Sequence, residues 1–264
     1  MSQRLQHAPV LSVVVPVYNE SRTWQEILAA VETVELPGVA KQVIVVDDGS
    51  TDGTRQELEQ FARGVGELPR PPQGGRVGYT LLFHPANRGK GAAVRTGLAA
   101  ADGDVVVVQD ADLEYDPRDY PRLIGPILDG QADVVYGSRF GRGRPSRCHR
   151  MNYLANRFLT ALSNLATGLR LTDMETCYKV FRRAVLARIR LEQDRFGFEP
   201  EITAKLAALG VRLREVPIRY VGRTRHEGKK IGWRDGLKAI WCILRYGLTA
   251  RRRRRKALRR AGVG

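Results

Sequence analysis

Short apolar runs rich in Val alternate with longer segments of helical period through the first half of the chain. Residues 11–18, 42–46, 77–83, 105–108 and 134–136 read as strands, because such runs are too short for buried helices. Between them, residues 24–34, 54–63, 92–101 and 120–128 carry helical periodicity. This alternation predicts an α/β fold, a mainly parallel sheet with helices on both faces. Residues 64–78 hold three prolines and five glycines and read as a surface loop.

The alternation loosens after the fifth strand. Residues 140–150 are rich in Gly and Arg, without apolar period, and read as a flexible loop. Leu154, Phe158, Leu162, Leu165 and Leu169 then form a helical stripe. A short strand at 177–181, a helix at 200–209 and a strand at 213–220 follow. The last helix spans about 232–250. On a helical wheel Trp233, Leu237, Ile240, Trp241, Leu244 and Leu248 share one arc, with Arg234, Lys238 and Arg245 opposite. The pattern divides the chain into an α/β unit, 1–221, and a basic loop, amphipathic helix and polybasic tail, 222–264.

Composition narrows the class. With 264 residues, 43% hydrophobic and 27% charged, the chain is neither disordered, fibrous nor membrane-embedded. The formal charge of +16 is concentrated at one end. Residues 222–264 carry 15 Lys/Arg against two acids, leaving 29 against 26 for the rest. Cys148, Cys177 and Cys242 form no C-x-x-C pair, so a reducing cytosol fits better than a disulfide framework. The four histidines show no ligand spacing and read as surface or loop residues. The first nine residues lack the apolar core of a signal peptide. Near the C-terminus the longest purely apolar stretch is 239–244, far below the roughly 20 residues of a spanning helix.

Ligands of open parallel sheets bind beyond the carboxyl ends of the strands. Those ends are acidic here: Pro16-Val17-Tyr18-Asn19-Glu20, Asp47-Asp48-Gly49-Ser50 and Gln109-Asp110-Ala111-Asp112. Neither G-x-G-x-x-G nor a P-loop follows the first strand, which removes the common dinucleotide and NTPase readings. Asp110 and Asp112 can turn together toward one hard cation, Mg²⁺ or Mn²⁺, which would in turn hold a diphosphate. The plainer alternative is a turn and helix cap, and Asp47 and Asp48 can likewise simply shape the turn before Thr51-Asp52-Gly53-Thr54.

The segments PVYNE, VVDDGSTDGT, NRGKGAAVRTGL, DADLEYDP, VVYGSRF and TDMETCYKVF, in this order over roughly residues 12–220, resemble glycosyltransferase family 2 with its GT-A fold. Within that family the chain is most similar to the dolichyl-phosphate mannose synthase and polyprenyl-phosphate glucosyltransferase branch. The resemblance implies a metal-dependent, inverting transfer of a sugar from a nucleotide diphosphate sugar, of GDP-mannose or UDP-glucose type, to a polyprenyl or dolichyl phosphate.

By the same resemblance Pro16, Tyr18 and Glu20 wall the donor base, and Asp48, with Asp47, meets base or ribose. Asp110 and Asp112 hold metal and diphosphate, with Ala111 behind the nucleotide. Glu114 stands where the mannose synthase branch usually has Gln, and so becomes a candidate third metal ligand. Gly89 and Lys90 mark a helix start near the nucleotide. Arg139 faces the acceptor phosphate, and Arg142, Arg144, Arg147 and Arg150 follow it in the loop, with Arg147 and Arg150 the named candidates to complete the anion site. Asp173 matches an acceptor-side position and is a candidate general base, although an ionised phosphate acceptor needs none. The segment from Arg223 to Gly232, with Arg225, Gly228, Lys229 and Lys230, resembles a mobile loop that closes over the donor phosphates, with Lys229 in place of the usual Ser.

Other readings remain open: a different family 2 acceptor, a non-enzymatic nucleic-acid binder using the basic tail, or a related nucleotidyltransferase. Arginine attracts RNA and anionic lipid alike. Two tryptophans on the apolar arc of the last helix favour an interface, and no RNA-reading motif appears, which argues against nucleic acid. The expected partners are therefore a nucleotide-sugar, a polyprenyl phosphate and an anionic membrane surface, with a membrane protein as a further candidate. The expected location is cytoplasmic, peripheral at the inner face of the membrane.

Overall fold

A computed structural model describes residues 8–65, 77–141, 143, 145, 150–223 and 233–260. Seven strands form one sheet: β1 (Val10–Val17), β2 (Ala40–Asp47), β3 (Gly78–Phe83), β4 (Val105–Val108), β5 (Val134–Ser138), β6 (Lys179–Arg182) and β7 (Leu213–Pro217). Their order across the sheet is β3-β2-β1-β4-β6-β5-β7. Every pairing is parallel except those of β6, which runs against both β4 and β5. The architecture is α/β, a mainly parallel sheet of GT-A type.

Valine-rich strands suit such a sheet because both faces are covered. Along β1, Val13 and Val15 join a core shared with Trp24, Ile27 and Val31 of α1 (Trp24–Thr33). Val14, between them, joins a second core with Ile44, Val46, Val106 and Ala93 of α3 (Lys90–Ala99). The two-residue period of a strand thus feeds two cores. The remaining helices are α2 (Thr54–Val65), α4 (Tyr120–Leu128), α5 (Arg150–Thr167), α6 (Arg183–Leu186), α7 (Phe198–Leu209) and α8 (Trp233–Arg260).

The reversal of β6 decides where the site lies. Because β6 is antiparallel, the segment entering it, 173–178, sits at the same sheet edge that β1, β2, β4, β5 and β7 leave. All the acidic strand ends and the TDMET segment therefore share one rim.

Two helices depart from the sequence pattern. The stripe on α5 is not a core stripe along its length: Leu154, Phe158 and Leu165 are exposed, whereas Leu159, Thr160, Ser163 and Thr167 are buried. The helix packs on the core through Leu159, Leu162 and Ala166 together with the small polar residues Thr160, Ser163 and Thr167. On α8 the face opposite the predicted arc is not charged. Ala239, Cys242, Ile243 and Ala250 are buried there, while Leu237, Trp241, Leu244 and Leu248 face out. Arg245 lies on the flank, its guanidinium 4.9 Å from the Trp241 ring centre. The helix also runs on through the basic tail to Arg260, since arginine has good helix propensity. Tight packing of α8 on α5 depends on Gly247, where a Cβ would come within 2.7 Å of the Ala166 methyl.

Candidate active site

Gln109, last before the acidic turn, organises the centre of the rim. Its buried carbonyl accepts from the hydroxyls of Tyr120 and Tyr178, each at 2.7 Å, and its amide donates to the Asp110 carbonyl at 3.0 Å. The turn that follows bends back through Leu113, which takes a left-handed φ of 61°. Such a conformation is uncommon for a bulky residue and is held only where surroundings enforce it. It brings both Asp110 and Asp112 to the same side of the rim, with Ala111 buried beneath.

The two carboxylates are not equivalent. Asp110 is bound by Lys90, whose ammonium lies 2.7 Å from one oxygen and 2.9 Å from the other. Burial opposes the Lys90 charge, but Asp110 above all holds that ammonium well above its ordinary range. Lys90 also lies 3.9 Å from Glu199, which is paired at 2.6 Å with the fully buried Lys179. Asp112 accepts only the Glu114 amide, at 3.1 Å, among the described residues. Burial, then the charges of Asp110 and Glu114, push its carboxyl up to about 7.

A divalent cation fits this arrangement, because Asp112 is crowded by the charges of Asp110 and Glu114 and the nearby Arg223 offsets them only in part. Asp110 and Asp112 are the residues that would hold it. The third ligand expected at Glu114 does not join them: among the described residues no three His, Cys, Asp or Glu side chains converge as a metal group. Glu114 is instead bound to the Tyr220 hydroxyl at 2.8 Å and the Arg223 amide at 2.6 Å.

The acids after β2 face inward. Asp47 accepts from the amides of Gly49 and Ser50 at 3.2 Å, which is the turn-shaping role. Asp48 is saturated. One oxygen takes His84 Nδ1 at 2.7 Å and the Arg88 amide at 3.0 Å; the other takes Asn87 Nδ2 at 3.0 Å and the Gly89 amide at 2.7 Å. Both carboxylates are buried, and the protein itself supplies donors to each. The same contacts bury His84 in the loop after β3. Gly89 has φ 102°, and a Cβ there would stand 2.4 Å from the Asp194 carbonyl. Its amide, expected near a nucleotide anion, already meets the anion of Asp48.

Pro16, Tyr18 and Glu20, expected to wall a donor base, are all partly buried. Arg223 spans the cleft in front of them, binding Glu20 at 2.9 Å and the Thr23 hydroxyl at 3.3 Å while its amide holds Glu114. One residue thus ties the end of β1 to the loop after β4. Sequence reasoning placed this residue only at the start of a mobile loop. Lys229 and Lys230 lie outside the described residues, as do Arg142, Arg144 and Arg147.

The residues expected on the acceptor side begin at the end of β5. Arg139 Nε and Nη2 each bind Asp173 at 2.7 Å, and the Arg139 amide donates to Asp173 at 3.0 Å. Asp173 is fully buried under this fork, so it serves to aim Arg139 and is not placed as a free base. Arg139 lies between two rings, Phe140 and Tyr220, at 5.3 Å from each centre. Tyr220 therefore joins the Arg139 side to the Glu114 and Asp112 side. Arg150, at the start of α5, is exposed. Next to Asp173, Glu175 has a buried oxygen without a partner, and burial together with Glu199 pushes its carboxyl up to about 7. Gln109 and Glu175 lie in segments the sequence singles out, but nothing there assigns them or Tyr220 a role, since each acts through neighbours far along the chain.

Comparison with known proteins accords with this geometry. The sequence model of the family "Glycosyl transferase family 2" matches residues 12–190. Glycosyltransferase AglJ of Haloferax volcanii is 29% identical over 212 residues, covering 80% of this chain and 63% of its own length. The undecaprenyl-phosphate 4-deoxy-4-formamido-L-arabinose transferase of Aeromonas hydrophila is 31% identical over 222 residues, covering 83% and 62%. The chain thus spans less than two thirds of these relatives, and only 32% of AglD from Haloferax volcanii. Among solved structures, glucosyl-3-phosphoglycerate synthase from Mycobacterium tuberculosis, in complex with Mn²⁺, UDP and glucosyl-3-phosphoglycerate, superposes with a TM-score of 0.65 at 23% identity. That match covers 90% of this chain and 80% of the synthase, and it shows a shared fold.

Proposed function

The chain belongs to glycosyltransferase family 2, and from that premise we propose that it transfers a hexose from a nucleoside diphosphate sugar to a polyprenyl phosphate, with inversion at the anomeric carbon. The observation that carries this reading is the forked Arg139, aimed by a buried Asp173 and joined through Tyr220 to the Asp112 side of the rim. A planar guanidinium held in this way suits a phosphate oxygen. Among the described residues its Nη1 donates to no protein group, so that edge is available to an acceptor.

Pro16, Tyr18 and Glu20 form the donor-base wall, closed by Arg223. Asp110 and Asp112 would hold a divalent cation, Mg²⁺ or Mn²⁺, which would supply charge neutralisation for the leaving group. Lys90 keeps Asp110 in place and adds a positive charge beside the same end. Lys229 and Lys230 are candidates for further contacts to the donor phosphates.

The reaction is a single displacement. An acceptor phosphate oxygen forms a bond to the anomeric carbon as the bond from that carbon to the diphosphate oxygen breaks, and the electron pair leaves on the diphosphate. The acceptor oxygen is already ionised, so no base is needed, in keeping with the engagement of Asp173 by Arg139. The work of the protein is to position two anions against one carbon and to offset their repulsion.

The test incubates the purified chain and Mn²⁺ or Mg²⁺ with UDP- and GDP-sugars, with and without short-chain polyprenyl phosphates. The expected product is a glycosyl phospholipid of inverted configuration formed with one of the donors. Retained configuration, a trapped glycosyl-enzyme adduct, or donor consumption indifferent to the lipid would overturn the proposal. A location at the inner face of a membrane belongs to the same reading. No helix of the described residues is long and apolar enough to cross a membrane.

A further inference from the structure

Met151, Leu154, Phe158 and Leu165 lie within about 60° of one another around α5, at 100° per residue, and all are exposed. Leu237, Trp241, Leu244 and Leu248 do the same on α8. Phe158 is 60% exposed, Leu165 69% and Leu248 66%, values far from those of a packed core. The two rows meet. A groove of about 400 Å³ between the helices is lined by Leu162, Leu165, Ala166, Leu244 and Leu248, with Arg251 and Arg252 at its end. Eight large side chains thus form one apolar face, and a monomer rarely shows so many together without a partner.

The surrounding charge identifies the partner. α5 and α8 together hold 13 Lys/Arg and one acid, Asp235. Two copies of this face would bring like charges together, while a surface of anionic headgroups complements them. We propose that the exposed rows of α5 and α8 form a single docking face for an anionic lipid bilayer, with the apolar side chains among the acyl chains and the arginines at the headgroups. The sequence-based expectation assigned membrane contact to the last helix and tail alone; α5 is the addition.

The placement of α5 gives the face a second role, which rests on the reading that the acceptor is lipid-linked. Arg139 contacts Phe140, whose ring meets Tyr153 of α5 edge-on at 5.1 Å. The exposed row starts beside Tyr153, at Met151 and Leu154. A lipid whose phosphate reaches Arg139 therefore has its apolar chain next to the row that enters the bilayer. Docking through α5 sets the acceptor side of the cleft against the membrane.

The test uses the full chain and two surface variants, Phe158→Glu and Leu165→Glu, neither in the cleft. Co-sedimentation is measured without donor or acceptor, on phosphatidylcholine vesicles with and without about one quarter phosphatidylglycerol. The parent should bind the anionic vesicles and each variant should bind about tenfold more weakly. Transfer to a short, soluble polyprenyl phosphate should be unchanged in both. Equal vesicle binding by parent and variants, or parent binding that ignores phosphatidylglycerol, would overturn the docking face. So would a lipid-free dimer in sedimentation velocity that either variant dissociates, because the face would then join two copies. Failure of the soluble transfer reaction with vesicle binding intact would instead refute the proposed function and leave the docking face standing.

Discussion

Replacing Asp112 with Asn removes a charge that the fold holds unfavourably. Burial, with Asp110 and Glu114 alongside, lifts this carboxyl from 3.8 to about 7. The folded chain then binds the proton more tightly than the unfolded chain. Its contribution to stability is full below pH 3.8, falls as the pH rises, and is gone above about 7. About three pH units at roughly 1.36 kcal/mol each set an upper limit near 4 kcal/mol. Water at the partly exposed side chain lowers this to on the order of 2 kcal/mol. At roughly 2–4 °C per kcal/mol for a chain of this size, Asp112→Asn should melt about 4–8 °C above the parent at pH 8 without divalent cation. At pH 5 roughly a third of that gain should remain. Turnover should meanwhile fall by about a hundredfold or more. Differential scanning calorimetry at both pH values, with and without Mn²⁺, measures the effect. Mn²⁺ should raise the melting point of the parent and leave the variant nearly unchanged. A variant that melts below the parent at pH 8, or gains equally at both pH values, would refute the reasoning.

Other perturbations separate the two sides of the cleft. Asp173→Ala strands the buried Arg139 guanidinium and should destabilise the chain by about 3–5 kcal/mol, read from urea denaturation; an unchanged midpoint would mean that the fork does not hold the fold. Arg139→Lys keeps the charge but loses the planar fork, and should lower kcat/KM for the acceptor by about a hundredfold while donor affinity, measured by calorimetry, stays within about twofold. Gln109→Leu leaves the hydroxyls of Tyr120 and Tyr178 without their buried acceptor, at about 1–3 kcal/mol for each, and should lower both the melting point and turnover. Ending the chain at Ala250 removes eight basic residues; at about 1 kcal/mol each with half engaged, binding to anionic vesicles should drop about a thousandfold and lose its salt dependence.

The parallel half of the sheet was legible because its strands are short Val-rich runs separated by turns, and periodicity alone separates these from helices. The reversed strand was not. β6 is only four residues long, Lys179–Arg182, and nothing in those residues records direction. The family resemblance singled out Asp110, Asp112, Arg139 and Asp173, but nothing in the sequence says which acids spend their oxygens on the protein. Asp47 and Asp48 stand side by side in sequence at a strand end, yet both turn inward, because the loop of residues 84–89 supplies four donors to Asp48 alone. The amphipathic arc of α8 and its outward direction were both expected; the second buried face, packed on α7, was not. A wheel reports that one face is apolar, whereas the partner on the other face, α7, is a matter of tertiary packing.

The charges on the rim explain why these particular residues surround one cleft. Lys90 balances Asp110, Lys179 balances Glu199, Arg223 balances Glu20, and Arg139 balances Asp173. Each pair fixes a side chain while adding little net charge. Asp112 and Glu114 remain in excess on the side proposed for the donor, where a bare diphosphate would meet like charge that a cation would offset. On the acceptor side no such excess acts directly on Arg139, and Glu175 nearby is raised to about 7 and so is largely neutral below that pH. The cleft is thus asymmetric. One side is organised for an anion that arrives with its cation, and the other for an anion that meets a guanidinium held in place beforehand. On the proposed function, that asymmetry would keep two anionic substrates from competing for one position, as a displacement at the carbon between them requires.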